Sequence, residues 1–409
     1  MLIANERATR STYPSELHSV MSIAKAQESR DWISSWNSLN PGSTPLYELD
    51  GLARSLGIGK LYLKDESVRS DLGSFKALGA PIALARLILR LWPDHNLNPK
   101  LLFNGGYRSL LKDFTVISAT DGNHGKGLAA AAQSMGCRCV IVLHANVSEE
   151  REQAIAKFGA RIMRVQGNYD ASVEEAARLA KANDWHVVSD TSYDGYEEVP
   201  RDVMQGYGTV AAEIVEASGG DPAVPFTHIF LQGGVGGLAA GILSYFWECY
   251  GERRPTVVIV EPVQADCLLQ SALRGVASKT TGSVDSVMAG LACGEASPLA
   301  WRFLVSGADY FMTITDDDAV AAMRLLAIGN ELDLPVVSGE SGAAGLAGLV
   351  ELQSDAALAA RVGLGRDARV LLISTEGATA PAAYQALVGQ SEAQVLARQR
   401  SSVRLGQST

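Results

Sequence analysis

Apolar residues along the chain fall into short runs separated by longer stretches in which they return every three or four residues, the signature of sheet strands alternating with covering helices. Runs at 60–65, 115–119, 139–143, 161–165, 186–189, 228–232, 256–261 and 369–374 predict strands, and 46–52 a further short one. Helices are predicted over 80–91, 128–135, 149–158, 172–182, 201–217, 238–250, 316–328 and 342–352. Such alternation builds a mainly parallel sheet covered on both faces, so the fold class is α/β. Residues 1–45 read as an irregular lead-in. Residues 92–114, broken by Pro93, Pro99 and Asn104-Gly105-Gly106, read as an insertion, and the polar stretch beyond 390 as a partly disordered tail.

Composition narrows the function classes. A chain of 409 residues, 47% hydrophobic and 20% charged, suits a globular protein of one to three domains. A net charge of −10 leaves no positive field to gather phosphate backbones, so no nucleic-acid partner is expected. No apolar run approaches the roughly 20 residues that span a bilayer, and 1–10 lack an apolar segment; no membrane partner and a cytoplasmic location are expected. Five cysteines in this length make no disulfide framework. Cys137-Arg138-Cys139 reads as part of a strand, and no metal centre is expected. Whether Cys267 and Cys293 meet, the spacing leaves open.

Three stretches carry candidate chemistry. Gly233-Gly234-Val235-Gly236-Gly237 follows a predicted strand and opens a predicted helix, where backbone N–H groups converge on an anion. It reads as a cup for one phosphate or as a dinucleotide fingerprint, since Gly234 to Ala239 satisfies G-x-G-x-x-A and Glu261 ends the next strand. The extra glycines at 233 and 237 favour the cup. Thr120-Asp121-Gly122-Asn123-His124-Gly125 puts an acid, an amide and an imidazole on one strand-to-helix turn; the same residues also make an ordinary polar turn, and His124 reads as a structural hydrogen-bonding residue. Lys76, in Gly73-Ser74-Phe75-Lys76-Ala77, enters an apolar helix, which would free its amine to attack an aldehyde; taken alone, however, the stretch favours an ordinary surface lysine. Protease and hydrolase patterns fail: no H-E-x-x-H occurs, and Gly339-Glu340-Ser341-Gly342-Ala343 misses the G-x-S-x-G elbow at its last position.

Taken together, in order, the Ser-Phe-Lys, the Asn-His-Gly turn, the glycine cup and a late strand ending in Ser374-Thr375-Glu376-Gly377 resemble the fold-type II enzymes that use pyridoxal phosphate. Within them the chain most resembles the diaminopropionate ammonia-lyases, through Ala119 to Gly125, the Asp190-Thr191 to Gly195-Tyr196 loop, Gln205-Gly206-Tyr207-Gly208-Thr209 and the insertion. The resemblance covers about residues 40–390. It implies two domains, each a mainly parallel twisted sheet flanked by helices: a large one from 1–79 and 197–409, with 392–409 as its tail, and a small one from 80–196.

The resemblance also implies roles. Lys76 would hold pyridoxal 5'-phosphate through its amine, Phe75 would pack beside the ring and Asn123 would donate to the phenolic oxygen. Gly233, Gly234, Val235, Gly236 and Gly237 would hold the phosphate, and Ser374 or Thr375 would face the pyridine nitrogen. Lys76 would act as base on an L substrate, Asp121 on a D substrate, and Asp190 would hold the departing ammonium. The implied reaction is α,β-elimination of 2,3-diaminopropionate to pyruvate and ammonia by a homodimer. Tyr193-Asp194 departs from the less polar residues preferred in that family, which keeps open a serine or threonine dehydratase, or another β-eliminating or β-replacing enzyme of the same fold. A nicotinamide-binding or catalytically silent protein is the remaining alternative.

Overall fold

The structure, a computed structural model, describes residues 1–406 apart from 121, 146, 168 and 220–223. Its strands are β1 (Leu2–Ala4), β2 (Leu46–Glu48), β3 (Lys60–Asp65), β4 (Thr115–Ala119), β5 (Arg138–His144), β6 (Arg161–Val165), β7 (His186–Val187), β8 (His228–Gln232), β9 (Thr256–Pro262), β10 (Tyr310–Ile314) and β11 (Arg369–Ser374). They form a seven-stranded sheet in the order β1-β10-β9-β8-β11-β3-β2 and a four-stranded sheet in the order β6-β5-β4-β7. Pairing is parallel throughout except at the two edges of the larger sheet, where β1 and β2 run antiparallel to their neighbours.

The apolar runs explain this arrangement. Along β8, Ile229 and Leu231 join the core on one face of the sheet and Phe230 the core on the other; β9 divides Val257 and Ile259 from Val258 and Val260 in the same way. A strand buried on both faces reads as continuous rather than alternating hydrophobicity, which is the parallel-sheet pattern. The four strands of the smaller sheet all fall within 80–196 and the seven of the larger sheet all fall outside it. From that division we propose 80–196 as one domain and 1–79 with 197–409 as the other. The helix Lys76–Leu91 starts at the junction and packs on both Glu198–Ala217 and Asn123–Met135.

Several expected elements differ. The run 46–52 splits into β2 and a helix, Asp50–Ser55, because the Asp333 carboxylate accepts from Gly51 N (2.8 Å) and Leu52 N (2.7 Å) and caps the turn. The lead-in contains the helix Ile23–Ile33, and the insertion contains Pro99–Phe103 and Arg108–Leu111, with Leu102 and Phe103 fully buried. The stretch expected as a disordered tail forms the helix Glu392–Gly406. Val395 anchors it in the core, and the Arg398 guanidinium donates to Ala327 O (2.5 Å) and Ile328 O (3.2 Å), the end of another helix.

Two features fix the segment that delivers Lys76. Below it lies a buried charge network: Lys64 Nζ to Glu213 (2.6 Å), Arg69 to Glu213 (2.7 Å), Arg69 to Glu66 (2.8 Å), with Thr44 Oγ1 donating to Glu66 (2.6 Å). Such a network adds little net stability but fixes orientation, since any rearrangement strands a buried charge. Above it, Gly206 lets the Glu198–Ala217 helix touch the Lys76 helix: a Cβ there would lie 2.3 Å from Leu78 O, a backbone atom that cannot move away alone. Gly206→Ala is therefore expected to destabilise the protein by about 3 kcal/mol, read as a lower denaturation midpoint. An unchanged midpoint would mean the helices do not meet at this point.

Candidate active site

Lys76 is the first residue of its helix, and the loop before it is tied to the end of β11: Phe75 N donates to Thr375 O (3.0 Å) and Gly377 N to Gly73 O (3.0 Å). From the other sheet, Lys126 Nζ donates to Leu72 O (2.8 Å). The Lys76 amine thus sits where the C-terminal ends of β8, β11 and β4 converge, the position α/β folds reserve for ligands. It lies in a cavity of about 550 Å³, within the range of cofactor and small-molecule sites.

Lys76 Nζ pairs with Asp190 Oδ2 at 2.5 Å, each side chain keeping a small opening to the cavity, 18% and 17%. Burial alone would favour the neutral amine, but Asp190 outweighs it and holds the ammonium above the usual lysine range. Burial would also raise the Asp190 carboxyl; Lys76, then His124, more than reverse this and hold it well below the usual carboxylate range. The amine also stands 5.2 Å from the Phe75 ring centre and 5.7 Å from that of Tyr207, rings that meet each other at 4.7 Å.

The expected site residues are brought together as follows. Lys76, Phe75, Asn123, Asp190, Gly233, Gly234, Val235, Gly237 and Thr375 line this one cavity. Ser374 lies behind the wall, its hydroxyl 2.8 Å from that of Ser338, and Gly236 is turned into the protein, where a Cβ would press on Leu304 and Ala300. Asp121 lies outside the described residues. The cup follows β8 and opens the helix Gly237–Tyr250; Gly234 (φ +60°) and Gly236 (φ +98°) take left-handed backbone that side chains resist. His124 Nε2 meets Val188 O at 2.9 Å, and burial lowers its pKa, so the ring stays neutral and serves as a structural hydrogen bonder.

Sequence reasoning gave no role to three further cavity residues. Tyr207 was visible only as an aromatic residue between glycines, Gln232 as a strand end, and Glu376 as part of a terminal motif. Glu376 accepts a hydrogen bond from Asn123 Nδ2. Tyr207 Oη, Gln232 Oε1 and His124 Nδ1 are buried polar atoms without a hydrogen-bond partner in this structure. The residues that carry these atoms border the cavity, and Asn123 supplies an amide donor to it. Together with a glycine cup for an anion and an amine between two aromatic rings, the donor set fits pyridoxal phosphate.

The dinucleotide reading fails on Glu261. Its carboxylate is fully buried and accepts from Leu268 N and Leu269 N at 2.8 Å, capping the helix Cys267–Arg274, with burial raising it to about 8. It is not available to a ribose.

A profile of the family described as "Pyridoxal-phosphate dependent enzyme" matches residues 38–376. The chain belongs to this family. It is 38% identical over 352 residues to the diaminopropionate ammonia-lyase of Escherichia coli K12, covering 85% of this chain and 88% of that one. The crystal structure of the holo form of the Escherichia coli diaminopropionate ammonia lyase superposes with a TM-score of 0.86 at 36% identity, covering 95% and 96% of the two chains. The same lyase in complex with an aminoacrylate-PLP azomethine reaction intermediate superposes with a TM-score of 0.84. The two-sheet α/β architecture is thus that of the fold-type II enzymes, and the chain is a pyridoxal-phosphate enzyme. Among the described residues no helix is long and apolar enough to cross a membrane.

Proposed function

We propose that this protein eliminates ammonia from 2,3-diaminopropionate, giving pyruvate and two molecules of ammonia. The observation that carries the substrate is Asp190, an anion inside the cavity and 2.5 Å from the reactive amine. A hydroxyl leaving group, as in serine or threonine, needs no anion beside it. A β-ammonium does, because a charged group entering a desolvated site must be paired.

When bound, pyridoxal phosphate supplies the electron sink that makes the substrate Cα–H bond acidic. The chain's residues do the rest. The glycine cup and the positive end of the helix Gly237–Tyr250 hold the phosphate, Phe75 packs beside the ring, and Asn123 donates to the phenolic oxygen. A Thr375 hydroxyl facing the pyridine nitrogen, in place of a carboxylate, would leave the ring less electron-demanding, which suits elimination over transamination. Lys76 Nζ would carry the cofactor and would receive the Cα proton of the L-isomer. Asp121 would take that of the D-isomer. Asp190 keeps the β-nitrogen protonated until it departs as neutral ammonia.

The decisive assay supplies L- and D-diaminopropionate, serine and threonine separately and measures keto acid. Rapid pyruvate formation from at least one diaminopropionate enantiomer, exceeding that from serine, is expected. Keto acid from serine or threonine alone would assign the site to a dehydratase instead. A cytoplasmic homodimer is part of the same reading, to be checked by cell fractionation and light scattering.

A further inference from the structure

We propose that Glu376 is a positioning residue: its carboxylate holds the Asn123 side-chain amide with its N–H groups, rather than its oxygen, committed to the cofactor side of the cavity. The inference rests on the preceding assignment of Asn123 to the cofactor's phenolic oxygen. It concerns a residue in neither the phosphate cup nor the proton-transfer set.

Asn123 opens the helix after β4, in the four-stranded sheet, whereas Glu376 lies two residues beyond β11, in the seven-stranded one. The two side chains meet across the cavity wall, Asn123 Nδ2 donating to Glu376 Oε2, and both line the cavity. An asparagine amide has one acceptor end and one end with two donors, and nothing intrinsic selects which end faces a ligand. A carboxylate selects, because an ionised carboxylate only accepts. Turning the amide over would press Asn123 Oδ1 against Glu376 Oε2 in a buried setting, where unpaired like-signed oxygens repel with little screening. With one N–H held by Glu376, the second N–H on the same nitrogen remains to donate.

Glu376 is itself fixed. It is 5% exposed; Ser341 N donates to Oε1 (3.2 Å), and Thr379 Oγ1 donates to Oε2 (3.2 Å). The loop carrying Lys76 is bridged to it through Ser74. Glu340 lies beside it, 4% exposed, its carboxyl raised to about 7 by burial and then by the Glu376 charge. One carboxylate, held by a backbone amide and a hydroxyl, therefore sets the orientation of an amide on the opposite sheet. In a family where the amide's oxygen would repel the phenolic oxygen it is meant to stabilise, that selection matters for affinity.

The test is a double-mutant cycle on the cofactor-free protein, titrated with pyridoxal phosphate to obtain its dissociation constant by absorbance. Glu376→Gln, which lets the paired amides face either way, is expected to weaken binding roughly tenfold, the scale of one charge-assisted hydrogen bond. In the Asn123→Ala background the same change should alter binding by less than about twofold, because the group it orients is gone. The denaturation midpoint of the cofactor-free protein should differ little between Glu376→Gln and the native chain. Equal fold-losses in both backgrounds, or no loss in either, would overturn the proposal. Should Glu376→Gln fail to fold, Glu376→Ala read in the same cycle reports the same requirement: it removes the acceptor that holds the Asn123 amide, so unchanged cofactor affinity there sinks the inference. A native chain that binds no pyridoxal phosphate defeats the functional reading itself; a native chain that binds it while the cycle is additive defeats only the role of Glu376.

Discussion

Lys76→Ala should yield a protein that shows no yellow lysine-imine band once free pyridoxal phosphate is removed and that retains no cofactor after borohydride reduction, with turnover of any substrate reduced about a thousandfold or more. The reasoning is not that Lys76 is the more nucleophilic amine in the cavity. On proton affinity it loses to Lys126, which burial and then Lys157 lower to about 8, while Asp190 holds Lys76 as an ammonium. Geometry decides against Lys126. Its Nζ donates to Leu72 O and braces the loop, whereas Lys76 Nζ stands between the Phe75 and Tyr207 rings, in the cavity that the glycine cup lines. A bound phosphate and aromatic ring bring the aldehyde to the amine they face, and effective concentration outweighs a few units of basicity. Were Lys126 the true attachment point, Lys76→Ala would keep both the yellow band and the cofactor fixed covalently by borohydride, and Lys126→Ala would lose both. Removing Lys76 also leaves only His124 and a backbone amide to oppose burial at Asp190, so its carboxyl should rise. Phosphate binding in the cup should survive, measurable as weak, non-covalent cofactor affinity.

The parts of this design that the sequence discloses are those carried by neighbours along the chain. The glycine cup, the Asn-His-Gly turn and the Ser-Phe-Lys segment each present several groups within six residues, and the first two lie just after strands that apolar runs already mark. The strands β8, β9 and β11 are legible for the same reason, being buried on both faces with uninterrupted hydrophobic runs, whereas β1 and β10 are not among the predicted strands. What the sequence hides depends on distant partners. The helix Asp50–Ser55 exists because Asp333 caps it, and Glu392–Gly406 folds because Val395 finds a pocket and Arg398 a helix end. Neither signal is local. The same holds in the site, where Glu261 imitates a ribose acid until its cap on Leu268 and Leu269 is seen, and where Glu376 acquires a role only through an asparagine 253 positions away.

Asp190→Asn should separate two consequences of the carboxylate. In the cofactor-free protein it is the main group raising the Lys76 pKa against burial, so its removal lowers the amine's pKa. The pH profile of cofactor capture, which requires neutral amine, should therefore shift to lower pH, and capture at neutral pH should accelerate. Turnover should move the other way. Without an anion to keep the β-nitrogen protonated, elimination from diaminopropionate is expected to fall about a hundredfold, while elimination from serine, whose leaving group carries no positive charge, should fall much less. The Asp190 value is depressed on folding, so its contribution is present above about 3.9 and lost as pH falls through the folded value; that of Lys76 is raised, so its contribution is present below about 10.4 and lost as pH rises through the folded value. The difference in unfolding free energy between the native chain and Asp190→Asn should thus be widest between these limits and shrink in acid. Faster capture with undiminished diaminopropionate turnover would show that the carboxylate merely restrains Lys76; slower capture would show that it assists the amine's attack, reversing the electrostatic argument.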